Sequence, residues 1–198
     1  MIFRLLALLV CLSACVGIGL EWVTLIQHGV SILTSAWILI GYFTILTNGF
    51  VAVIFGAMAV YGKSFDHPRL VAGTVLAMIL VGVVYALLLQ GLRAMSGTTA
   101  LANFLLHVLT PVLVVIFWFL AIRKGALTWR DPLLWALYPS GYFLYALIRG
   151  SVQGRYAYPF IDVSANGWVQ VVINAVVIAL GFVAAGEALI WIDRKLSF

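Results

Sequence analysis

Charge is scarce in this chain. Of its 198 residues only 9% are Asp, Glu, Lys or Arg, while 65% are hydrophobic and the mean hydropathy is +1.19. Soluble domains carry about 25% charged residues, so a soluble globular domain, a disordered chain and a disulfide-rich secreted scaffold are all excluded. Cysteine is nearly absent. Cys11 and Cys15, the only two, lie four apart in the first apolar run and offer no disulfide framework. The three histidines, His28, His67 and His107, are scattered, whereas a zinc site wants three or four ligands at recognisable spacing such as HExxH. No glycine-rich phosphate loop follows a strand pattern, so neither a metal nor a cofactor is expected. The net charge of +5 is not gathered into a basic groove or stripe, so no nucleic-acid partner is expected either.

What is present is long apolar sequence. Six runs cover residues 5–26, 36–60, 70–92, 101–121, 132–150 and 167–191, each near the roughly 20 apolar residues that a membrane-spanning helix needs. Turn chemistry breaks them at Gly62 to Pro68, Ser96-Gly97 and Asp131-Pro132. The expected fold is all-α, a single membrane domain over 1–198 of six transmembrane helices, without internal repeats or long loops. By alternate loops, Arg4, Lys63, Arg69, Arg123, Lys124, Arg130, Arg194 and Lys195 fall on one side, and Arg93, Arg149 and Arg155 on the other. The positive-inside rule then puts both termini in the cytoplasm. Leu12-Ser13-Ala14-Cys15 has the form of a bacterial lipoprotein processing site, but the apolar run continues past Cys15 to Ile26 and is read as a span. Short loops and the lack of a targeting tail point to a bacterial inner membrane.

Polar groups inside the spans carry the functional signal, because an ionisable group at mid-bilayer is costly and usually faces the bundle interior. They are Glu21, Thr44, Thr47, Asn48, Asn103, His107, Asn174 and Glu187, with Arg149 at a span end. Thr44, Thr47 and Asn48 share one helical face at i, i+3 and i+4, and Asn103 and His107 share another at i and i+4. With a rise of 1.5 Å per residue, Thr44 lies about 12 Å below Ala36 and His107 about 9 Å below Leu101. Glu21 and Asn174 reach similar levels in the outer half of the membrane. Threonine and asparagine also serve as helix glue through back-bonding and interhelical hydrogen bonds, so Thr44, Thr47, Asn48 and Asn103 have structural readings beside functional ones. Glu187 is expected to pair with Arg194 and Lys195, and His28 and His67 to be solvated.

A hydroxyl and a histidine on facing helices are the minimal kit for nucleophilic acyl transfer. The imidazole takes the hydroxyl proton during attack on a carbonyl and returns it to the leaving alcohol. Asn48, Asn103 or Arg149 are candidate oxyanion donors. Substrates met at such a level would be lipid esters. Ser140-Gly141 falls short of the rhomboid-protease serine motif, since Tyr138 stands where that motif needs glycine.

The segment Tyr42 to Asn48 (YFTILTN), Asn103-x-x-x-His107 followed by Pro111, Tyr156-x-Tyr158-Pro159-Phe160 and Gly186-Glu187-x-Leu189 together resemble the androgen-induced protein and androgen-dependent TFPI-regulating protein family, including its small bacterial relatives. The resemblance runs from about residue 40 to the C-terminus. It implies a six-helix membrane threonine hydrolase of fatty acid esters of hydroxy fatty acids, with the family's nucleophile falling on Thr44 and its histidine on His107. Two departures stand out. Phe104 occupies the position of a second histidine in the eukaryotic pattern, and the interval from His107 to Pro111 is one residue shorter.

The resulting expectation is a Thr44–His107 dyad acting through an acyl-threonine. Thr47 is the rival nucleophile. Arg149 or Arg155 would hold a substrate carboxylate by a charge-assisted pair, and Glu21 and Tyr158 are further substrate-side candidates. The alternative is a small transporter or lipid-binding module using the same polar cluster as a ligand site. Transporters often show inverted repeats and broken helices, and Pro111 is the only such break here.

Overall fold

The computed structural model describes residues 1–92 and 94–197, so Arg93, one of the three outer-side charges above, lies outside the described residues. Among the described residues there are helices and no strands. Five helical stretches among the described residues are long and apolar enough to cross a membrane: Ile2–Gln27, Phe43–Phe65, Pro68–Leu89, Gly97–Ala121 and Val163–Lys195. The chain divides into two compact units, Met1–Arg123 and Lys124–Phe198.

In the first unit, α1 (Ile2–Gln27) buries Ala7, Val10, Ser13, Ala14, Gly17 and Thr24, a face of mostly small residues that lets backbones approach closely. Leu5, Leu9, Leu12 and Val16 are exposed on its other side, as a lipid-facing surface requires. Helix α2 (Ile32–Leu39) is capped by the Ser31 side chain, which accepts from the Thr34 amide. The sequence pattern reads 36–60 as one continuous helix, and here the structure differs. The amides of Gly41 and Tyr42 turn back onto the carbonyls of Ile38 and Leu39, and Tyr42 is extended (φ −105°, ψ 131°) before α3 (Phe43–Tyr61) begins. Thr44 therefore stands in the first turn of its helix rather than about two turns inside one starting at Ala36.

Helix α4 (Pro68–Val84) continues into a π-helical turn, Tyr85–Leu89. Helix α5 (Gly97–Phe104) passes through a second, Leu105–Leu109, into α6 (Thr110–Ala121). The second turn has a local cause. Pro111 has no amide hydrogen to give the carbonyl of His107 four residues earlier, and its ring would crowd that carbonyl. The ladder widens instead, with the Thr110 amide bonding to Leu105 five residues back. Helices α1 and α6 are joined in the interior by Ser13 Oγ and Thr110 Oγ1, 2.8 Å apart. Phe117 lies edge-on to Phe55 and to Phe3, filling the core toward the other end.

The second unit contains α7 (Asp131–Trp135), α8 (Leu137–Gln153) and α9 (Val163–Lys195). The run expected as a fifth span, 132–150, is thus α7 and α8 with a single residue, Ala136, between them. Asp131 accepts the Thr128 amide, and buried Asp193 accepts the amides of Gly125 and Leu127, which ties the loop before α7 to the end of α9. Asp162 caps α9 through the amides of Ser164 and Ala165. Gly167, at φ 74° and ψ 161°, kinks α9 near its start, a conformation that glycine adopts without a Cβ penalty.

Candidate active site

The first unit brings together two polar groups that are 63 residues apart in sequence. Thr44 Oγ1 lies 3.2 Å from His107 Nε2. The hydroxyl belongs to a buried residue, 7% exposed, in the first turn of α3. The imidazole belongs to the middle of the π turn and is half-buried.

The other ring nitrogen fixes the roles. His107 Nδ1 is 3.1 Å from the backbone carbonyl of Asn103. A carbonyl oxygen only accepts, so Nδ1 carries the hydrogen and the neutral ring presents a lone pair at Nε2. The hydroxyl of Thr44 then donates to Nε2. This is the tautomer that a general base needs, and it is set by a backbone carbonyl where serine hydrolases use a carboxylate.

Asn48, 0% exposed, joins the two sides of the pair. Its Nδ2 donates to the carbonyl of Thr44 at 2.9 Å and to that of Leu106 at 3.3 Å. Both acceptors are carbonyls, so the amide orientation is determined, and Oδ1 is left buried without a hydrogen-bond partner. Asn48 thus holds the first turn of α3 to the π turn. Asn103 Nδ2 donates to the phenol oxygen of Tyr85 at 2.6 Å. Thr47 Oγ1 donates to its own helix, to the carbonyl of Phe43 at 2.8 Å, the ordinary bond of a membrane-helix threonine.

Tyr85 is absent from the polar residues that sequence reasoning singles out. Its ring stacks on the imidazole of His107, with centroids 4.4 Å apart and planes 27° from parallel. One signal was available: Tyr85 is the only aromatic residue between 70 and 92. Gly17 was overlooked too. A Cβ there would come within 2.7 Å of Leu106 Cδ2 and 3.3 Å of Leu105 Cβ, so α1 lies directly against the π turn. Glu21 stands half-buried one turn further along α1.

The remaining candidates belong to the second unit. Arg149 donates from Nη1 to the Tyr145 hydroxyl at 2.7 Å and from Nε to Gln153 Oε1 at 3.2 Å, both one turn away on α8. Arg155 is exposed. Tyr158 stacks on Phe160 at 5.2 Å and meets Tyr142 edge-on at 6.5 Å, while Asn174 Nδ2 donates to the Phe160 carbonyl. The pairing expected for Glu187 is not observed: its Oε2 is buried without a hydrogen-bond partner. Arg194 instead lies over Trp129 at 4.6 Å and Lys195 over Trp191 at 5.9 Å. Seven and eight residues of helix separate Glu187 from these cations, about 10–12 Å of axial rise, which is two turns rather than one. No group of three or more His, Cys, Asp or Glu side chains able to hold a metal ion occurs among the described residues.

No protein-family model, curated protein or solved structure matches the chain.

Proposed function

We propose that this chain is an intramembrane threonine hydrolase of lipid esters, with fatty acid esters of hydroxy fatty acids or similar compounds as substrates. The observation that carries the reading is the contact of Thr44 Oγ1 with His107 Nε2 at 3.2 Å, with Nδ1–H engaged by the Asn103 carbonyl. Nucleophile, base and orienting acceptor stand in the order that activation of a hydroxyl requires.

Thr44 Oγ attacks the ester carbonyl carbon, and its proton passes to His107 Nε2 as the new C–O bond forms. The negative charge on the carbonyl oxygen develops beside the first turn of α3, where the helix macrodipole favours it. On collapse, the bond to the leaving alkoxide breaks and that oxygen takes the proton from Nε2. Water then attacks the acyl-threonine, gives a proton to Nε2 and releases the fatty acid, and Thr44 recovers its hydrogen. The net reaction is ester plus water to acid plus alcohol. The proposed setting is a six-span bundle with cytoplasmic termini in a bacterial inner membrane.

The test compares the purified wild type with Thr44→Ala for fatty acid release from such an ester and for labelling by a fluorophosphonate. Removing a nucleophile of this kind lowers turnover by at least about a thousandfold, and labelling is expected to vanish with it. Undiminished turnover in Thr44→Ala overturns the assignment.

A further inference from the structure

The dyad contains a charge problem that its neighbours must answer. When Thr44 gives its proton to His107, the imidazole becomes a cation. Among the described residues no carboxylate is bonded to that ring; its Nδ1–H meets only a backbone carbonyl. Neutral imidazole needs no counter-charge, so any group that favours the cation acts on the transition state more than on the resting state.

We propose that Tyr85 is the positioning residue of the dyad: its stacked ring holds the imidazole in one orientation and supplies the π face on which the imidazolium is stabilised. The inference rests on the hydrolase reading for its catalytic part. The placement rests on geometry alone. Tyr85 and His107 stack at 4.4 Å with planes 27° apart, within the roughly 6 Å at which a cation is attracted by an aromatic face. The Tyr85 oxygen takes the Asn103 amide at 2.6 Å, and the Asn103 carbonyl takes His107 Nδ1–H. One residue therefore fixes both the phenol and the ring that the phenol covers. Both aromatic groups sit in π turns, Tyr85 opening one and His107 central to the other. Insertions of this kind recur at functional sites because they redirect side chains. The stack confines the plane of the imidazole, which keeps Nδ1–H on the Asn103 carbonyl and Nε2 on Thr44. Without an aromatic face beside it the ring is free to tilt off that carbonyl, and its tautomer is no longer held.

Two variants separate the stack from the hydroxyl. Tyr85→Phe keeps the face and loses the bond to Asn103. Tyr85→Met is apolar, fills similar space and has no face. For hydrolysis in the full chain, Tyr85→Met is expected to lower kcat by about 3- to 30-fold with KM unchanged, and Tyr85→Phe to restore most of it. A second readout uses no substrate. In the ¹⁵N spectrum of histidine-labelled protein in micelles, neutral His107 is expected as a single Nδ1–H tautomer in wild type and Tyr85→Phe, and as a mixture in Tyr85→Met. His107→Gln identifies the signal, and Tyr85→Leu replaces the Met variant if that chain does not fold. An unmixed tautomer together with wild-type kcat in the non-aromatic variant overturns the proposal. If the wild type hydrolyses no ester, the hydrolase reading fails, and the tautomer comparison still decides whether Tyr85 positions His107.

Discussion

A threonine hydroxyl becomes a nucleophile only when a base within hydrogen-bond reach has its lone pair turned toward it, and in this chain one of two threonines on the same helix face meets that condition. Thr44 reaches His107 Nε2, while Thr47, one turn on and 1% exposed, donates to the Phe43 carbonyl. The two should separate on mutation. Thr47→Val removes a buried hydrogen bond with little change of shape and is expected to cost about 1 kcal/mol of stability with ester turnover retained within a few-fold. Loss of turnover in a folded Thr47→Val protein would instead mark Thr47 as the nucleophile. Both threonines and His107 were legible in the sequence as polar residues in apolar runs. Their separation was not legible, because sequence spacing gives a face and a depth but no partner. Tyr85 escaped for a different reason. A tyrosine has an apolar body and a polar tip, so in an apolar run it reads as bulk until its neighbour is known.

The helices hold the dyad through two local departures from ideal geometry and one close approach. Tyr42, extended after the turn that follows α2, opens α3, Pro111 widens the turn that carries His107, and Gly17 lets α1 lie against that turn. Pro111→Ala tests the second. The alanine amide would offer the His107 carbonyl an ordinary i+4 partner, and a turn restored to α geometry would rotate the imidazole away from Thr44. Turnover is expected to fall by about a hundredfold, the cost of roughly 1 Å of misplacement, without loss of helical content. Unchanged turnover in that variant would show that the widened turn does not depend on the proline. Pro111 was visible in the sequence as a break, but its effect on the carbonyl of His107 needed the helical register. At the start of α9 the controlling group is Asp162. Its carboxyl is held below its ordinary value of 3.8, chiefly by the Ser164 hydroxyl and also by the amides of Ala165 and Ser164, against a smaller opposing effect of burial. A depressed folded value means that the cap is fully present above the ordinary carboxylate range and is lost as pH falls through the lower folded value. Amide exchange at Ser164 and Ala165 should therefore speed up, relative to the middle of α9, on going from pH 5 to below pH 3. In Asp162→Ala that pH dependence should be absent.

At the scale of the whole molecule the number of crossings turns on α8. Five helical stretches among the described residues meet the length and hydropathy of a span, and α8 has 17 residues, about 26 Å of rise against a hydrocarbon core of about 30 Å. The charge rule does not decide the matter. With six spans and a cytoplasmic N-terminus, Arg93, Arg149 and Arg155 are the three basic residues outside; with α8 left on the cytoplasmic side, the three are Arg93, Arg194 and Lys195, so eight of the eleven basic residues stay inside either way. The surface of the segment is more informative. Leu133, Leu137, Leu144, Ile148 and Val152 are all exposed at near-helical spacing across α7 and α8, a stripe of about 28 Å that matches the membrane core. An interfacial helix would present a polar face rich in Lys and Arg, and within α8 Arg149 is the only basic residue. This surface is the one that the six-span arrangement proposed above requires, and a crossing by α8 would fix the parity of the chain. Reporter fusions after Ser197 should be active in the cytoplasm, as GFP, and inactive as a phosphatase that needs export. The reverse pattern, with the N-terminus shown to be cytoplasmic, would mean five crossings and would place Arg149 and Arg155 on the cytoplasmic side, removing them as carboxylate holders for a substrate entering from the outer half of the bilayer.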